Sequence, residues 1–169
     1  MLNIIRKPAS HFHVGRLHGH KPVLIVIHIS EGSLFSADNW FASRECPVSS
    51  HYIVGKSGEI HQYVNEDATA YHAGILDRPS SAIVKQLKGN PNDYSIGIEH
   101  EGKAGDVPTA QQLAASAELI AGIANRWNIA LDQDHVIPHH AIRFMKSCPG
   151  AGFKVDAFIA AAKAVVLQP

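Results

Sequence analysis

The sequence predicts a single α/β domain in which a central mixed β-sheet is flanked by helices. Three observations predict this fold class. The chain has 169 residues, about the length of one domain, and 46% of them are apolar, enough for a sizeable core. Segments with strand and helix periodicity alternate along the chain without internal repeats or linkers. We divide the chain into an N-terminal extension or loop, 1–21, and one domain, 22–169.

The strand patterns fall in the first two thirds of the sequence. Val23–Ile29 is a continuous, largely β-branched run, which predicts a strand buried on both faces. A Ser-Gly turn separates two further strand patterns, His51–Lys56 and Glu59–Val64, and predicts a hairpin. His51 is expected to be structural and bonded within this hairpin. Ser95–Glu101 alternates apolar with small or polar residues, so Glu99 should lie off the apolar face.

Three helices are predicted from capping residues and apolar spacing. Ser36 is placed to cap a short helix that runs to about Glu45. Thr109 and Gln112 form a capping box for a helix that runs to about residue 128. Val155–Val166 predicts the last helix, and three of its apolar residues should face inward: Ile159, Ala162 and Val166.

Charge and hydropathy exclude several classes of protein. Fifteen Lys and Arg balance fifteen Asp and Glu, so there is no net field to attract nucleic acid or an anionic membrane. No apolar run approaches the roughly 20 residues that span a bilayer. No secretory signal is visible at the N-terminus. We therefore expect a soluble protein that binds no nucleic acid and does not insert into membranes.

Histidine is unusually frequent, with twelve copies. Four of them lie in Pro8–Lys21, which reads as a solvated loop, although short His-rich tracts can also bind metal. Residues 65–92 show only turn signals and predict a loop with at most one helical turn. The number of histidines therefore suggests that imidazole groups take part in the function, but it does not identify which of them do.

Three other positions are better candidates for a metal site. His28 lies in the most apolar strand, and the pair His139 and His140 precedes Cys148 by nine and eight residues. One imidazole from each region and the thiolate would give three ligands of the types that zinc prefers, with a fourth position left for water. Spacing alone leaves other interpretations open: a core histidine, an inert buried thiol, a histidine-activated nucleophile, or a disulfide with Cys46.

The sequence resembles the zinc-dependent N-acetylmuramoyl-L-alanine amidases of the type 2 amidase family, which are related to bacteriophage amidase lysozymes and peptidoglycan recognition proteins. The resemblance extends over about residues 22–160, in five blocks in the family's order: Val26–Ser30, Val48–Val54 with Gly58–Ile60, Tyr71–Gly74, Asn92–Glu99 and Lys146–Gly150. It implies a mixed sheet flanked by helices, with 22–169 as the amidase catalytic domain.

The resemblance also implies roles for individual residues. His28, one histidine of the pair and Cys148 would bind Zn²⁺, and His139 is preferred to His140 because family members have an aliphatic residue three positions after this ligand, as Ile142 is here. Two catalytic residues are implied, Glu99 to assist the zinc-bound water and Lys146 near the last ligand. Three residues are implied to bind substrate: His72, Ser50 and Tyr71.

Two positions depart from the relatives. Ser50 stands where the bacteriophage lysozymes have a catalytic tyrosine, and Cys148 stands where the anhydro-muropeptide enzymes have an aspartate. The chain thus combines features of two subgroups, which leaves the form of the substrate, intact wall or soluble muropeptide, open.

The function implied is zinc-dependent hydrolysis of the amide between N-acetylmuramic acid and L-alanine in peptidoglycan, for lysis, remodelling or recycling. The partner would be peptidoglycan or a muropeptide, and we expect a monomer. Such an enzyme would reach the bacterial cell wall after release from the cytoplasm or by another export route. The alternative is a recognition module that binds peptidoglycan without cutting it, but such relatives usually lack a metal ligand.

Overall fold

The computed structural model describes residues 2–167, which form eight strands and five helices. The strands are β1 (Ile4–Arg6), β2 (Phe12–His13), β3 (Leu24–Ile27), β4 (Tyr52–Val54), β5 (Ile60–Gln62), β6 (Thr69–Ala70), β7 (Ser95–His100) and β8 (Val136–Pro138). The helices are α1 (Leu34–Ala42), α2 (Ala82–Leu87), α3 (Pro91–Tyr94), α4 (Ala110–Trp127) and α5 (Val155–Val166). Short 3₁₀ turns cover Leu17–Gly19 and His139–Ala141.

Six strands form one mixed sheet in the order β1-β5-β4-β7-β3-β8, and β2 pairs with β6 separately. β4 and β5 are antiparallel, as the predicted hairpin requires, and the other pairings in this sheet are parallel. The predicted fold class is therefore confirmed.

Strand β3, which lies between β7 and the edge strand β8, is covered on both faces. Its four residues have no exposed surface. Ile25 and Ile27 pack in the cluster that includes residues of α4 and α5, whereas Leu24 and Val26 pack with residues from α2 and α3. Because alternate side chains point to opposite faces, a strand between two layers needs the continuous apolar run seen in the sequence.

Two helix starts can be compared with their predicted caps. The helix α1 is present, but its predicted cap was wrong. Ser33 is the N-cap and accepts the backbone N–H of Ser36, which lies inside the first turn. Thr109 caps α4 as predicted, but the side-chain amide of Gln112 does not reach back to it. That amide donates instead to the carbonyl oxygens of Val54 and Glu101, which ties α4 to the sheet.

The last helix has the predicted bounds, but one inward residue was wrong. Ile159 and Ala162 are buried, whereas Val166 is 61% exposed. Phe158 takes a fully buried position and Val165 packs against the same cluster, so the final turn presents a neighbouring face to the core.

The two segments predicted as loops contain more structure than expected. Ile4–Arg6 pairs in parallel with β5 at the edge of the main sheet, and residues 65–92 contain β6, α2 and the start of α3. Arg16 anchors the N-terminal segment, because its guanidinium donates to the carbonyl oxygens of Glu66 and Ser95. Residues 2–21 thus pack onto the domain through contacts with residues that lie far away in sequence.

Candidate metal-binding and catalytic site

The candidate site lies where three parallel strands end. His28 follows β3 directly, His139 follows β8, and Glu99 is the fifth residue of β7. Since β7, β3 and β8 are adjacent and parallel, their carboxyl ends meet at one edge of the sheet, where ligand sites form in open α/β sheets.

Three potential metal ligands converge at this edge. One ligand atom from each of His28, His139 and Cys148 lies within 4.8 Å of the others. The backbone N–H of Ile29 donates to Cys148 Sγ over 3.4 Å, which holds the cysteine loop against the end of β3. His140 does not join the group, because its ring is exposed and its Nδ1 lies 3.1 Å from the carbonyl oxygen of Cys148.

Each buried imidazole has an internal partner. His139 Nε2 lies 3.1 Å from the carbonyl oxygen of Ala73, so this nitrogen carries the proton and Nδ1 keeps its lone pair. His28 Nε2 lies 3.0 Å from Nδ1 of His72, and His72 Nε2 lies 3.2 Å from Ser95 Oγ. Neither ring nitrogen of His72 is therefore free to contact a substrate, although its ring lines the cavity.

The two imidazoles are in the protonation state that metal binding requires, whereas the thiol is not. Burial, reinforced by His139 and His72, holds the pKa of His28 well below its usual value, and burial lowers the pKa of His139 to about 4. Both imidazoles are therefore neutral at pH 7, the form that binds metal. Burial, with Glu99 nearby, raises the pKa of the Cys148 thiol to about 12. A cation bound here would have to displace that proton.

A cavity of about 340 Å³ opens onto the three residues, and Glu99 lines its wall. Burial raises the pKa of Glu99 to about 8, and the carboxylate of Glu31 adds to the shift. Glu99 Oε2 is buried and has no hydrogen-bond partner among residues 2–167. A carboxyl group with a pKa near neutrality and a free oxygen is suited to accept and return a proton.

Of the other predicted site residues, only Lys146 and His72 line this cavity. Lys146 is exposed and lines the cavity beside Cys148. Ser50 is fully buried, its hydroxyl donates to the carbonyl oxygen of Gly97, and it does not line this cavity, so its predicted contact with substrate has no support in this geometry. Tyr71 is half-buried, with its ring 5.5 Å from that of His11, and it does not line this cavity.

His51 and Cys46 lie inside the protein. His51 is buried and bonded within the hairpin, as expected, because its carbonyl oxygen accepts the backbone N–H of Tyr63, and its Nδ1 also accepts the backbone N–H of Gly97 in β7. Cys46 and Cys148 are both free thiols, and Cys46 is buried, with its Sγ donating to the carbonyl oxygen of Val48. Pairing of the two cysteines is therefore excluded.

Glu31 is a cavity residue that the sequence reading missed. Its carboxylate accepts the backbone N–H of Ala104. The available signal was its place three residues after His28, in the loop that leaves the carboxyl end of β3. Loops at that edge of a parallel sheet are where site residues are expected.

The fold and the His-His-Cys group define the class of this protein: an α/β domain with three potential metal ligands at the carboxyl edge of its sheet. Residues 18–151 match the model of the family described as N-acetylmuramoyl-L-alanine amidase. The chain belongs to this family, and the resemblance noted in the sequence is confirmed.

Curated relatives are similar over part of their length. The chain is 36% identical over 105 residues to N-acetylmuramoyl-L-alanine amidase A of Achromobacter lyticus, covering 60% of this chain and 51% of that protein. It is 29% identical over 117 residues to 1,6-anhydro-N-acetylmuramyl-L-alanine amidase AmpD of Haemophilus influenzae, covering 69% and 59%. The chain thus spans between half and three fifths of these two relatives.

Solved structures are similar over nearly the whole chain. A selenomethionine derivative of AmpD superposes with a TM-score of 0.79 at 27% identity and covers 95% of both chains. The amidase LysC of Clostridium intestinale gives a TM-score of 0.67 at 19% identity, covering 96% of this chain and 99% of that one, a likeness of fold alone.

Proposed function

We propose that this chain hydrolyses the amide bond between N-acetylmuramic acid and L-alanine in peptidoglycan or its muropeptide fragments. The observation that carries the proposal is the His28-His139-Cys148 group beside Glu99, a buried carboxyl group with one unpartnered oxygen. Family membership and the names of the relatives support this bond as the target.

We propose Zn²⁺ as the metal, held by His28, His139 and Cys148. Two neutral imidazoles and a cysteine are a donor set that zinc accepts, and three protein ligands leave a fourth position for water or substrate. When bound, Zn²⁺ lowers the pKa of a ligated water towards 7 and polarises a substrate carbonyl.

Glu99 is assigned the proton transfers. Its Oε2 accepts a proton from the attacking water while the oxygen of that water forms a bond to the lactyl carbonyl carbon. The same carboxyl group then donates the proton to the amide nitrogen as the C–N bond breaks, which releases the peptide with a free L-alanine amine. In the metal-free protein the pKa of this group is about 8, and a cation bound nearby would lower it towards the range in which the carboxylate accepts a proton at neutral pH.

Lys146 is assigned to charge stabilisation. Lys146 lines the cavity two residues before Cys148 and is exposed, so its side chain is free to turn towards the carbonyl oxygen on which negative charge develops. A donor placed at a developing oxyanion typically contributes about 3–4 kcal/mol to catalysis.

The substrate partner that we propose is peptidoglycan or a muropeptide, met at the bacterial cell wall by a monomeric chain. None of the helices within residues 2–167 has the length and apolar character that a membrane crossing requires.

Purified cell wall and a synthetic muropeptide provide the test. With one equivalent of zinc, the chain should release peptides with a free N-terminal L-alanine, detectable by mass spectrometry. A chelator should abolish release and added Zn²⁺ should restore it. Binding of wall without any release by the zinc-loaded chain would instead establish a recognition module.

A further inference from the structure

One short segment contacts both histidines of the metal group. His72 Nδ1 lies 3.0 Å from His28 Nε2, and the carbonyl oxygen of Ala73 lies 3.1 Å from His139 Nε2. Asn92 Oδ1 accepts the backbone N–H groups of both His72 and Ala73, over 2.9 and 2.8 Å. A single side-chain oxygen therefore holds the dipeptide that touches both imidazoles.

Donor and acceptor can be assigned in each of the hydrogen bonds that connect Pro91, Ser95, His72 and His28, starting from Pro91. The carbonyl oxygen of Pro91 can only accept, so Ser95 Oγ, 2.6 Å away, donates to it. Ser95 Oγ then accepts the Nε2 proton of His72, over 3.2 Å. A neutral imidazole protonated at Nε2 has its lone pair on Nδ1, so His72 accepts the proton of His28 Nε2.

The result is a defined tautomer for His28. With its proton on Nε2, His28 carries a lone pair on Nδ1, and this atom lies 3.8 Å from Cys148 Sγ. Nδ1 therefore points to the group in which a metal would be bound. Partners of this kind orient metal-binding histidines and raise the basicity of the binding nitrogen.

The backbone also makes room for the ring of His72. A Cβ at Gly97 would lie 2.5 Å from Cγ of His72, closer than real contacts allow. Glycine at this position of β7 thus leaves the slot in which the ring lies against the strand. His72 is only 9% exposed, which is consistent with a role inside the protein rather than at the substrate.

We propose that His72 is a positioning residue for the metal site: supported by Ser95, it fixes the tautomer and ring orientation of His28. This inference rests on the metal site of the proposed function and replaces the substrate contact first assigned to His72. Ala73 serves His139 in the same way through its carbonyl oxygen.

The test compares two variants of His72 in the full chain. Asparagine can place its side-chain oxygen near the position of Nδ1 and still accept the His28 proton, whereas leucine fills the slot without an acceptor. Zn²⁺ affinity is measured by competition with a chromophoric chelator, and the thiolate-to-metal and d–d bands of the Co²⁺-loaded protein report the geometry.

We expect His72→Leu to weaken Zn²⁺ binding about 10–100-fold and to shift the Co²⁺ bands, with a smaller loss for His72→Asn. Ser95→Ala should lie between native and His72→Leu. The control is His61→Gln, since His61 is also a buried sheet histidine but bonds to Asp38 and Glu59, away from the cavity. It should leave Zn²⁺ affinity unchanged.

The outcomes separate the two proposals. If the native chain binds neither Zn²⁺ nor Co²⁺, the proposed metal site is wrong. If the native chain binds zinc and a folded His72→Leu binds it equally well, the metal site stands and the positioning role is wrong. Equal losses in folded His72→Leu and His72→Asn would show that packing matters, and would overturn the role of the hydrogen bond.

Discussion

Glu66 and Glu99 are two partly or fully buried carboxyl groups whose surroundings differ. Glu66 accepts hydrogen bonds from Arg126, Tyr52 and the indole of Trp127. Burial alone would raise its pKa, but these donors outweigh burial and hold the pKa below its usual value. Around Glu99 burial prevails, its pKa rises to about 8, and Oε2 has no partner among the described residues.

The different surroundings suit the two carboxyl groups to different roles, one in stability and one in proton transfer. A carboxylate satisfied by several donors stabilises the fold and holds no proton near neutral pH. A carboxyl group with a buried, unpartnered oxygen destabilises the fold when ionised, and its place in a cavity wall fits the proton transfers that we propose for it. Substitutions at the two positions should therefore affect different properties.

The largest effect is expected for Glu99→Gln. The amide keeps the shape of the side chain but cannot take a proton, so kcat on a muropeptide should fall about 10²–10⁴-fold. Zinc content, measured by atomic emission, should stay at the native value because Glu99 is not in the metal group. Near-native kcat with zinc bound would show that another group is the base.

Glu66→Ala should have the opposite profile. Its removal leaves the buried hydroxyl of Tyr52 and the indole N–H of Trp127 without their acceptor, so the free energy of unfolding should fall on the order of 2–5 kcal/mol. Urea unfolding measures this loss. Below the melting transition kcat should be unchanged. A large fall in kcat of the folded variant would contradict the assignment of Glu66 to stability alone.

The pH dependence of stability sharpens the comparison in the metal-free protein. The pKa of Glu99 is raised, so its contribution to stability is full below pH 4.5 and is lost as pH rises to about 8. Glu99→Gln should therefore match native stability at pH 4 and exceed it at pH 9. The difference grows by at most about 1.4 kcal/mol per pH unit.

Urea unfolding with a chelator present, from pH 4 to pH 9, measures this difference. For Glu66 the sign reverses: its pKa is lowered, so its contribution is present above pH 4.5 and is lost on acidification. A constant offset between native and Glu99→Gln at all pH values would contradict the shifted pKa.

The smallest effect is expected for His13→Ala, in the N-terminal segment. His13 is exposed and lies outside the metal group, so the free energy of unfolding should change by less than about 0.5 kcal/mol. Zinc content and kcat should match the native protein. A loss of bound zinc would show that the N-terminal histidines also bind metal.

Much of the fold could be predicted because its signals are local. Alternation and capping act over a few residues, and they predicted the hairpin, α4 and the bounds of α5. The run that forms β3 predicted a strand buried on both faces, and His28 and Cys148 stood out by their chemistry and setting. The edge strand at Ile4–Arg6 was missed because a three-residue strand depends on its partner β5 for its hydrogen bonds.

By itself, the sequence determined the fold class, the fully buried strand β3 and the residue types that could bind a metal. Only the tertiary structure separated His139 from His140, since two neighbours in a tight turn point in different directions. It also placed Ser50 in the core and gave His72 its partner His28, 44 residues away. Contacts at such separations depend on how the strands pack side by side, and local periodicity does not specify that arrangement.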